Sequence, residues 1–547
     1  MCNSKQEMNI YRKAKFEHNQ HGRSPSRSSR YRLGLGLAGL LLTAGCLRPA
    51  LTYDPWRVPG GTDAGQPTAT LASATGGLAT EATPTLQVPR ITMTPAPVGV
   101  APTPNAPADL PPLRSETTQY TVEEGDSLVQ IALKHQVSVS QIVKANDIED
   151  PSLITPGQVL TIPPASANEL ATAFKIIPDS ELFYSPVTIG FDTRSIVWQF
   201  NGYLESYREE LEDGRTLTGS EIVQEVAQNF SVNPRLLLAV IEHQSGWLRA
   251  GSPISASNDY PLGLENANYR GLYKQLGWAA NELTRGYTLW EQRAVSVWSL
   301  ADDQVMRIDP TINGATAALQ YWFSLFLGKE SWKTAVSASG FYATYLSLFG
   351  FPFAFSMDPV LPADLTQPDL ILPFARGDVW SFTGGPHWGW GTGSAWAALD
   401  FAPPGGEQDY GCFESQAPVT AAADGLVVRS GNGALVLDLD GDGFEQTGWT
   451  LLYLHLAGEG RAEAGTQVKA GDPLGFASCE GGVTTGTHFH IARRYNGLWI
   501  DAAGAVPMNL GGWIASSPGI VYDGYLSKDG QTVEAFNGRA DFNQIGW

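Results

Sequence analysis

Hydrophobic positions change their spacing several times along this 547-residue chain. Leu33–Ala44, LGLGLAGLLLTA, is an unbroken apolar run, too short to span a bilayer as a helix, which needs about 20 residues. From Gln119 the pattern is brief and mixed. QYTV reads as a strand, and Gly125-Asp126-Ser127 reads as a turn that supplies a helix N-cap. Leu128, Ile131 and Ala132 share one helical face, SVSQIVKAN gives a second short helix, and Pro156-Gly157 turns into a closing strand, VLTIP. Between 165 and 370 the period is helical. Ile222, Val223, Val226, Ala227 and Phe230 form one stripe, and Asn233-Pro234 starts a further helix, LLLAVIEHQSGW. After 371, β-branched and aromatic residues come in short runs broken by Gly and Asp, which predicts strands and tight loops. GYLSKDGQTVEAFNG predicts a hairpin around Asp529-Gly530. Residues 46–116 follow no period. Pro, Thr, Ala and Gly dominate there, and such a segment cannot bury enough surface to fold, so it reads as a disordered, semi-extended linker.

The expected fold class is therefore multidomain α+β. A βααβ module covers 117–164, an all-α middle domain covers 165–370, and a β-rich antiparallel domain covers 371–547. Apolar content of 43% with 16 Trp is enough for real cores and excludes wholesale disorder. The charge of -20 argues against a nucleic-acid partner, which needs a basic face.

Residues 1–45 read as an export signal: eight Lys and Arg against two Glu, then the short apolar run. The ending Thr43-Ala44-Gly45-Cys46 resembles a bacterial lipobox, although Thr43 stands where that pattern prefers Leu. The resemblance implies lipidation of Cys46 and an extracytoplasmic protein anchored to the membrane or envelope; an ordinary cleaved signal and an uncleaved anchor are the alternatives. With Cys2 in the leader and Cys46 at the anchor, Cys412 and Cys479 remain. In an oxidising compartment they can pair as a disulfide; two buried thiols are the other reading.

Tyr120, Gly125, Asp126, Leu128, Ile131, Asn146, Leu153, Pro156, Gly157, Gln158, Leu160 and Ile162 stand where a LysM module has its anchors, and the whole βααβ unit resembles one. That implies binding of N-acetylglucosamine-containing glycan, hence peptidoglycan. The phrase ending the LLLAVIEHQSGW helix resembles the entry to the lysozyme-type transglycosylase fold, whose Glu-Ser-Gly carries the general acid. Here that position is Gln244, which cannot donate a proton as a carboxylic acid does. Glu242 lies on a different part of the helix surface. A non-catalytic glycan-holding or spacer domain is expected, with an unrelated helical domain or an active glycosidase as alternatives. His243 reads as a surface or capping histidine.

Four of the eight histidines fall in 371–547: His387, His455, His488 and His490. His488 and His490, in THFHIA, are two apart on an expected strand, so both point to one face. A hydrolytic zinc site needs three protein ligands and an open position. The phrases GGPHWGWGTGSAWAALDFAPP (Gly384 to Pro404), APVTAAADGLVV, LLYLHL, AGDPLGFAS and GTHFHIA resemble the lysostaphin-like zinc endopeptidases. The common H-x-x-x-D spacing fails, because Trp396 stands four before Asp400. The staphylolysin and β-lytic branch instead places its histidine in a GGPH phrase well before the Asp, as His387 stands here. The resemblance implies zinc bound by His387, Asp400 and His490, with His455 and His488 as the catalytic histidines.

Asp438, Asp440 and Asp442 alternate like the first half of a calcium loop, but Trp449 occupies the twelfth position. Calcium and a plain Asp/Gly hairpin turn are both readings. The expected function is a zinc-dependent endopeptidase that cuts peptide stems or cross-bridges of peptidoglycan. The rivals are a wall-anchored non-catalytic regulator of another hydrolase and a secreted protease cutting Gly-Gly bonds.

Overall fold

The computed structural model describes residues 104–547, apart from 124–125, 152, 166, 168, 254–257, 355, 406–410 and 483. The export segment, Cys46, most of the linker and Gly125 lie outside the described residues. Among the described residues no helix is long and apolar enough to cross a membrane. Residues 104–116 form no helix or strand, yet the expectation of a free linker up to 116 is corrected here. The N–H groups of Asn105 and Ala108 donate to the carbonyls of Thr311 and Pro310, and Leu110 packs on the helical core.

Strands β1 (Thr118–Thr121) and β2 (Val159–Ile162) pair antiparallel around α1 (Leu128–His135) and α2 (Val139–Ala145). Ser127 with Gln130, and Ser138 with Gln141, form reciprocal capping boxes that satisfy two otherwise orphaned N–H groups at each helix start. Leu128, Ile131, Ile142, Leu160 and Ile162 make the core. Asn146 locks the closing strand through bonds to the Thr161 backbone. Leu153, an anchor of the sequence pattern, is 67% exposed.

The middle region holds α3 (Thr193–Phe200), α4 (Tyr203–Ser206), α5 (Gly219–Phe230), α6 (Pro234–Ser245), α7 (Leu272–Glu291), α8 (Gly314–Ser324), α9 (Lys329–Ala335) and α10 (Phe341–Phe349). It is not all-α. Arg208–Glu210 (β3) pairs with Thr216–Thr218 (β4), and Val297–Ser299 (β5) with Val305–Arg307 (β6). Left-handed Gly214 and Asp303 let the chain reverse in these two hairpins. Helix α8 is buried along its whole length. Helix α7 lies close against it at Gly286, where a Cβ would stand 2.9 Å from the Ala318 Cα.

The C-terminal body carries β7 (Trp380–His387), β8 (Ala398–Ala402), β9 (Pro418–Thr420), β10 (Gly425–Gly431), β11 (Ala434–Asp438), β12 (Trp449–Leu454), β13 (Gln467–Val468), β14 (Pro473–Phe476), β15 (Phe489–Tyr495) and β16 (Leu498–Trp499). It continues with β17 (Asn509–Leu510), β18 (Trp513–Ile520), β19 (Asp523–Lys528), β20 (Gln531–Glu534) and β21 (Gln544–Ile545). Nine of them form one antiparallel sheet, in the order β13-β10-β11-β12-β15-β8-β7-β21 with β16 beside β15. β17 to β20 form a second sheet. The expected hairpin is its β19–β20 turn, where Asp529 and Gly530 both take positive φ.

Period-two alternation gives the central sheet two apolar faces. Leu399, Phe401, Leu435, Leu437, Leu451, Tyr453, Phe489 and Ile491 enter the core of the C-terminal body. Their neighbours Ala398, Ala434, Val436, Leu452, Leu454 and Ala492 join the core of the helical region. The helical body therefore packs directly on this sheet. Ionic groups close the same junction: Glu445 binds Arg429 and Arg494, which also reach Asn229 and the Gln228 carbonyl. The boundary expected at 371 lies earlier, because Thr366 and Gln367 are bonded to Trp449, Arg493 and Asn509 of the C-terminal body.

Candidate metal centre

His490 and Asp400 are opposite each other in the β15–β8 register. By alternation both point from the sheet face that carries Ala398 and Ala492. His387 ends β7, and two register shifts at Gly384 bring it in line. A Cβ at Gly384 would stand 2.7 Å from Asp400 Oδ2, so only glycine leaves room for that carboxylate.

The three side chains converge. His387 Nε2 is 3.1 Å from His490 Nδ1 and 3.3 Å from Asp400 Oδ1, and His490 Nδ1 is 3.4 Å from the same oxygen. A tetrahedral zinc with ligands at 2.0–2.1 Å needs donor atoms about 3.3–3.4 Å apart. The remaining nitrogens are committed elsewhere: His387 Nδ1–H donates to the Gly385 carbonyl and His490 Nε2–H to that of Gly389. This leaves His387 Nε2 and His490 Nδ1 as lone pairs aimed at one point, the outer bonding that metal-binding histidines use. Asp400 Oδ1 is buried without a hydrogen-bond partner, and a cation would satisfy it. The residues fit zinc.

Burial opposes ionisation of Asp400, but the neighbouring rings of His387, His488 and His490 outweigh it. Its carboxyl is held well below the usual carboxylate range. Burial, and then the neighbouring rings of His488 and His490, push the His455 pKa well below that of an ordinary histidine.

His455 and His488 flank the cluster, their rings 4.7 Å apart. His455 lies just past β12 with φ +65°, not within the strand its phrase suggested. That strained conformation is fixed by Ser478, whose N–H and hydroxyl donate to the His455 carbonyl, and by the Glu480 carbonyl, which accepts Nδ1–H at 2.8 Å. His488 Nδ1–H donates to the Gly486 carbonyl at 2.8 Å, and its Nε2 lies 3.7 Å from Asp400 Oδ2. Both histidines thus present Nε2 toward the cluster.

The sequence reading missed Tyr522, whose ring stacks on His387 at 4.4 Å and whose backbone bonds Pro386 and Gly385. It lies in the β18–β19 connection at positive φ, and nothing in the phrase VYDG signals that placement. Cys412 and Cys479 are joined as a disulfide.

The carboxylates of Asp438, Asp440 and Asp442 come within 4.8 Å of one another. They sit in a ten-residue loop rather than a tight hairpin, because they accept the loop's own N–H groups at Asp440, Gly441, Asp442, Gly443 and Phe444. Burial first, and the neighbouring Asp440, push the Asp438 pKa up to about 7.

In the helical body, Glu242 accepts the N–H groups of Leu248 and Arg249 and so closes the turn after α6. His243 is half-buried, its ring edge-on to Phe323 and Phe341 and bonded to Thr344.

Residues 120–163 match the LysM domain family, 175–360 match LasA, N-terminal domain, and 408–502 match Peptidase family M23. His455, His488 and His490 fall inside the third match, while His387 and Asp400 precede it. Protease LasA of Pseudomonas aeruginosa is 27% identical over 315 residues, covering 52% of this chain and 68% of the relative. N-acetylmuramoyl-L-alanine amidase XlyA of Bacillus subtilis is 40% identical over 72 residues, 13% of this chain and 24% of the relative. Among solved structures, the M23 metalloprotease pseudoalterin is 23% identical with a TM-score of 0.26, covering 32% of this chain and 96% of that one. The catalytic domain of lysostaphin from Staphylococcus simulans is 24% identical with a TM-score of 0.17, covering 22% and 87%.

Proposed function

We propose that this chain is a zinc-dependent endopeptidase of the cell wall, in which a LysM module holds the glycan and the C-terminal body cuts peptide bonds of peptidoglycan. The observation that carries this reading is the convergence of His387 Nε2, Asp400 Oδ1 and His490 Nδ1 at 3.1–3.4 Å, with two further histidines turned toward them. Those three atoms would hold the zinc. When bound, zinc supplies Lewis acidity, enough to make water a nucleophile near neutral pH and to polarise a carbonyl.

The side chains do the rest. His455 is neutral and carries its proton on Nδ1, so Nε2 accepts a proton from the attacking water. His488, with its proton held on Nδ1 by the Gly486 carbonyl, presents Nε2 as a second acceptor that orients the water. Return of a proton to the departing amine completes the cleavage. Tyr522 covers the face of His387 and keeps water from it.

The GGPH setting of His387 supports the staphylolysin and β-lytic arrangement of this site. Gln244 in place of an acid, and the engagement of Glu242 in a turn, support a helical body that cuts no glycan. The lipobox-like run before Cys46 supports an extracytoplasmic, lipid-anchored enzyme. The Asp438, Asp440 and Asp442 grouping supports calcium as a second, structural ion.

The test is peptide release from purified peptidoglycan by the full chain and by His490→Ala, with zinc measured on both. Release that needs His490 and tracks one zinc per chain is the expected result. Zinc without release would favour the non-catalytic regulator, and cleavage of glycine-rich proteins with sacculi left intact would favour the secreted protease. No zinc would overturn the metal assignment.

A further inference from the structure

The phrase WGWGTGSAW, between His387 and β8, contains three glycines that the metal chemistry does not use. Residues 389–395 form a closed loop, with the Gly389 N–H donating to the Ala395 carbonyl and the Trp390 N–H to Ser394 Oγ, each at 3.1 Å. The loop joins two bodies. Its tip is gripped by α7: Asn281 Oδ1 accepts the Gly393 N–H at 2.7 Å, and Thr288 Oγ1 donates to the Gly393 carbonyl at 3.2 Å. Arg285 Nη2 and Asn281 Nδ2 donate to Thr392 Oγ1 at 2.9 and 3.3 Å.

The fit is tight enough to explain the glycines. A Cβ at Gly393 would stand 1.8 Å from the Asn281 carbonyl oxygen, and one at Gly391 would stand 2.8 Å from both Asn281 Oδ1 and the Phe230 ring. At the loop's base, the Gly389 carbonyl accepts His490 Nε2–H at 3.1 Å. A Cβ at Gly389 would stand 2.4 Å from the Trp499 ring. One short loop thus has its tip on a helix of the middle body and its base on a ligand of the candidate metal centre.

We propose that the helical body positions His490 through this loop, with Asn281, Arg285 and Thr288 as positioning residues that never touch the metal. The inference rests on the zinc reading above. The Nε2–H bond to Gly389 fixes the tautomer and aims the Nδ1 lone pair, and outer-shell bonds of this kind are typically worth 10–100-fold in metal affinity. A loop with glycine at alternate positions has much conformational freedom to lose. Without the α7 contacts, the Gly389 carbonyl would sample many positions and hold the imidazole less firmly.

The test uses the full chain loaded with zinc. Asn281→Ala removes the bonds to the Gly393 N–H and to Thr392, and Thr392→Val removes those from Arg285 and Asn281, so the Asn281–Thr392 bond is the one both variants lose. The double variant keeps only the Thr288 bond to the Gly393 carbonyl, and Thr392→Ser keeps the hydroxyl. Zinc release into a chromophoric chelator and zinc affinity by competition are read alongside circular dichroism. The expected result is release about tenfold faster in each single variant, release at least as fast in the double variant, and wild-type behaviour for Thr392→Ser. If Asn281→Ala does not fold, Thr392→Val gives the reading alone. Folded variants that retain zinc as the wild type does would overturn the inference. A wild-type chain that binds no zinc would sink the zinc reading instead, a separate and recognisable result.

Discussion

Removal of the Cys412–Cys479 bond tests how covalent structure serves the site. The bond closes a loop across a sequence separation of 67. Restricting an unfolded chain by a loop of that length is worth about 4 kcal/mol at 25 °C in the chain-entropy account, between about 3 for 15 residues and 4.7 for 100. The placement of the bond adds a second effect. Cys479 lies between Ser478 and Glu480, the two residues that hold His455 in its strained conformation. Cys412 lies between Gly411 and Phe413, whose backbones bond Thr487, the residue before His488. One covalent link therefore ties together the supports of both flanking histidines and touches none of the three side chains of the candidate metal centre. In a Cys412→Ala, Cys479→Ala variant, urea unfolding should give a free energy lower by about 4 kcal/mol. At a temperature where the variant is still folded, kcat on a peptidoglycan peptide should fall at least about tenfold, as small misplacements of catalytic groups cost that much or more. Zinc content should stay at the wild-type level. Unchanged stability would refute the entropic reasoning, and an unchanged kcat in the destabilised variant would refute the positioning role.

Burial first, and the neighbouring Asp358, push the Asp179 pKa up to about 7, so the folded chain holds this proton more tightly than the unfolded one. Stability from this group is complete below about pH 4 and lost as pH rises through about 7. Asp179→Asn keeps an acceptor for the Ala315 N–H; it should match the wild type near pH 4 and exceed it at pH 8 by up to about 4 kcal/mol, and superimposable stability profiles would refute this. Glu445→Gln leaves the buried Arg494 and its neighbour Arg429 without their shared carboxylate; it should cost about 3–5 kcal/mol in chemical denaturation, and a loss under about 1 would show that water or the Gln228 carbonyl suffices. Calcium returned to protein treated with a calcium-selective chelator should raise the melting temperature through the Asp438 loop, and no shift would end that assignment.

The LysM unit was readable because its cues are local. Ser127 and Ser138 each stand three before a Gln that completes a capping box, and the buried positions of α1 and β2 follow helical and strand periods. The phrases of His387, Asp400, His455, His488 and His490 marked five side chains that the fold brings together, and the spacing of His488 and His490 alone set both on one face. What stayed hidden depends on contacts distant in sequence. The left-handed turn at His455 is imposed by residues 23–25 positions away, and its phrase of apolar residues reads as unbroken strand. Tyr522 reaches His387 from the second sheet. The grip of Asn281 on Gly393 spans 112 residues. The second apolar face of the central sheet was written in Ala434, Val436, Leu452 and Leu454, but alternation cannot say what covers a face. His243, one histidine among apolar residues, gives no sign of the two phenylalanines that its ring meets edge-on.

The chain's route out of the helical body determines where it could be severed cleanly. Pro362, Ala363 and Asp364 are exposed, and they lie between Val360, whose carbonyl still receives Asn496, and Thr366, whose carbonyl receives Trp449. Gln367 then acts as a stopper over Arg493, a buried cation whose pKa is lowered to about 10 by burial and which is otherwise met mainly by backbone carbonyls. A nick among 362–364 would keep Gln367 on the same piece as Arg493. A nick after Leu370, where the composition changes, would pull the stopper and open a charged hole beneath the strand that carries His490.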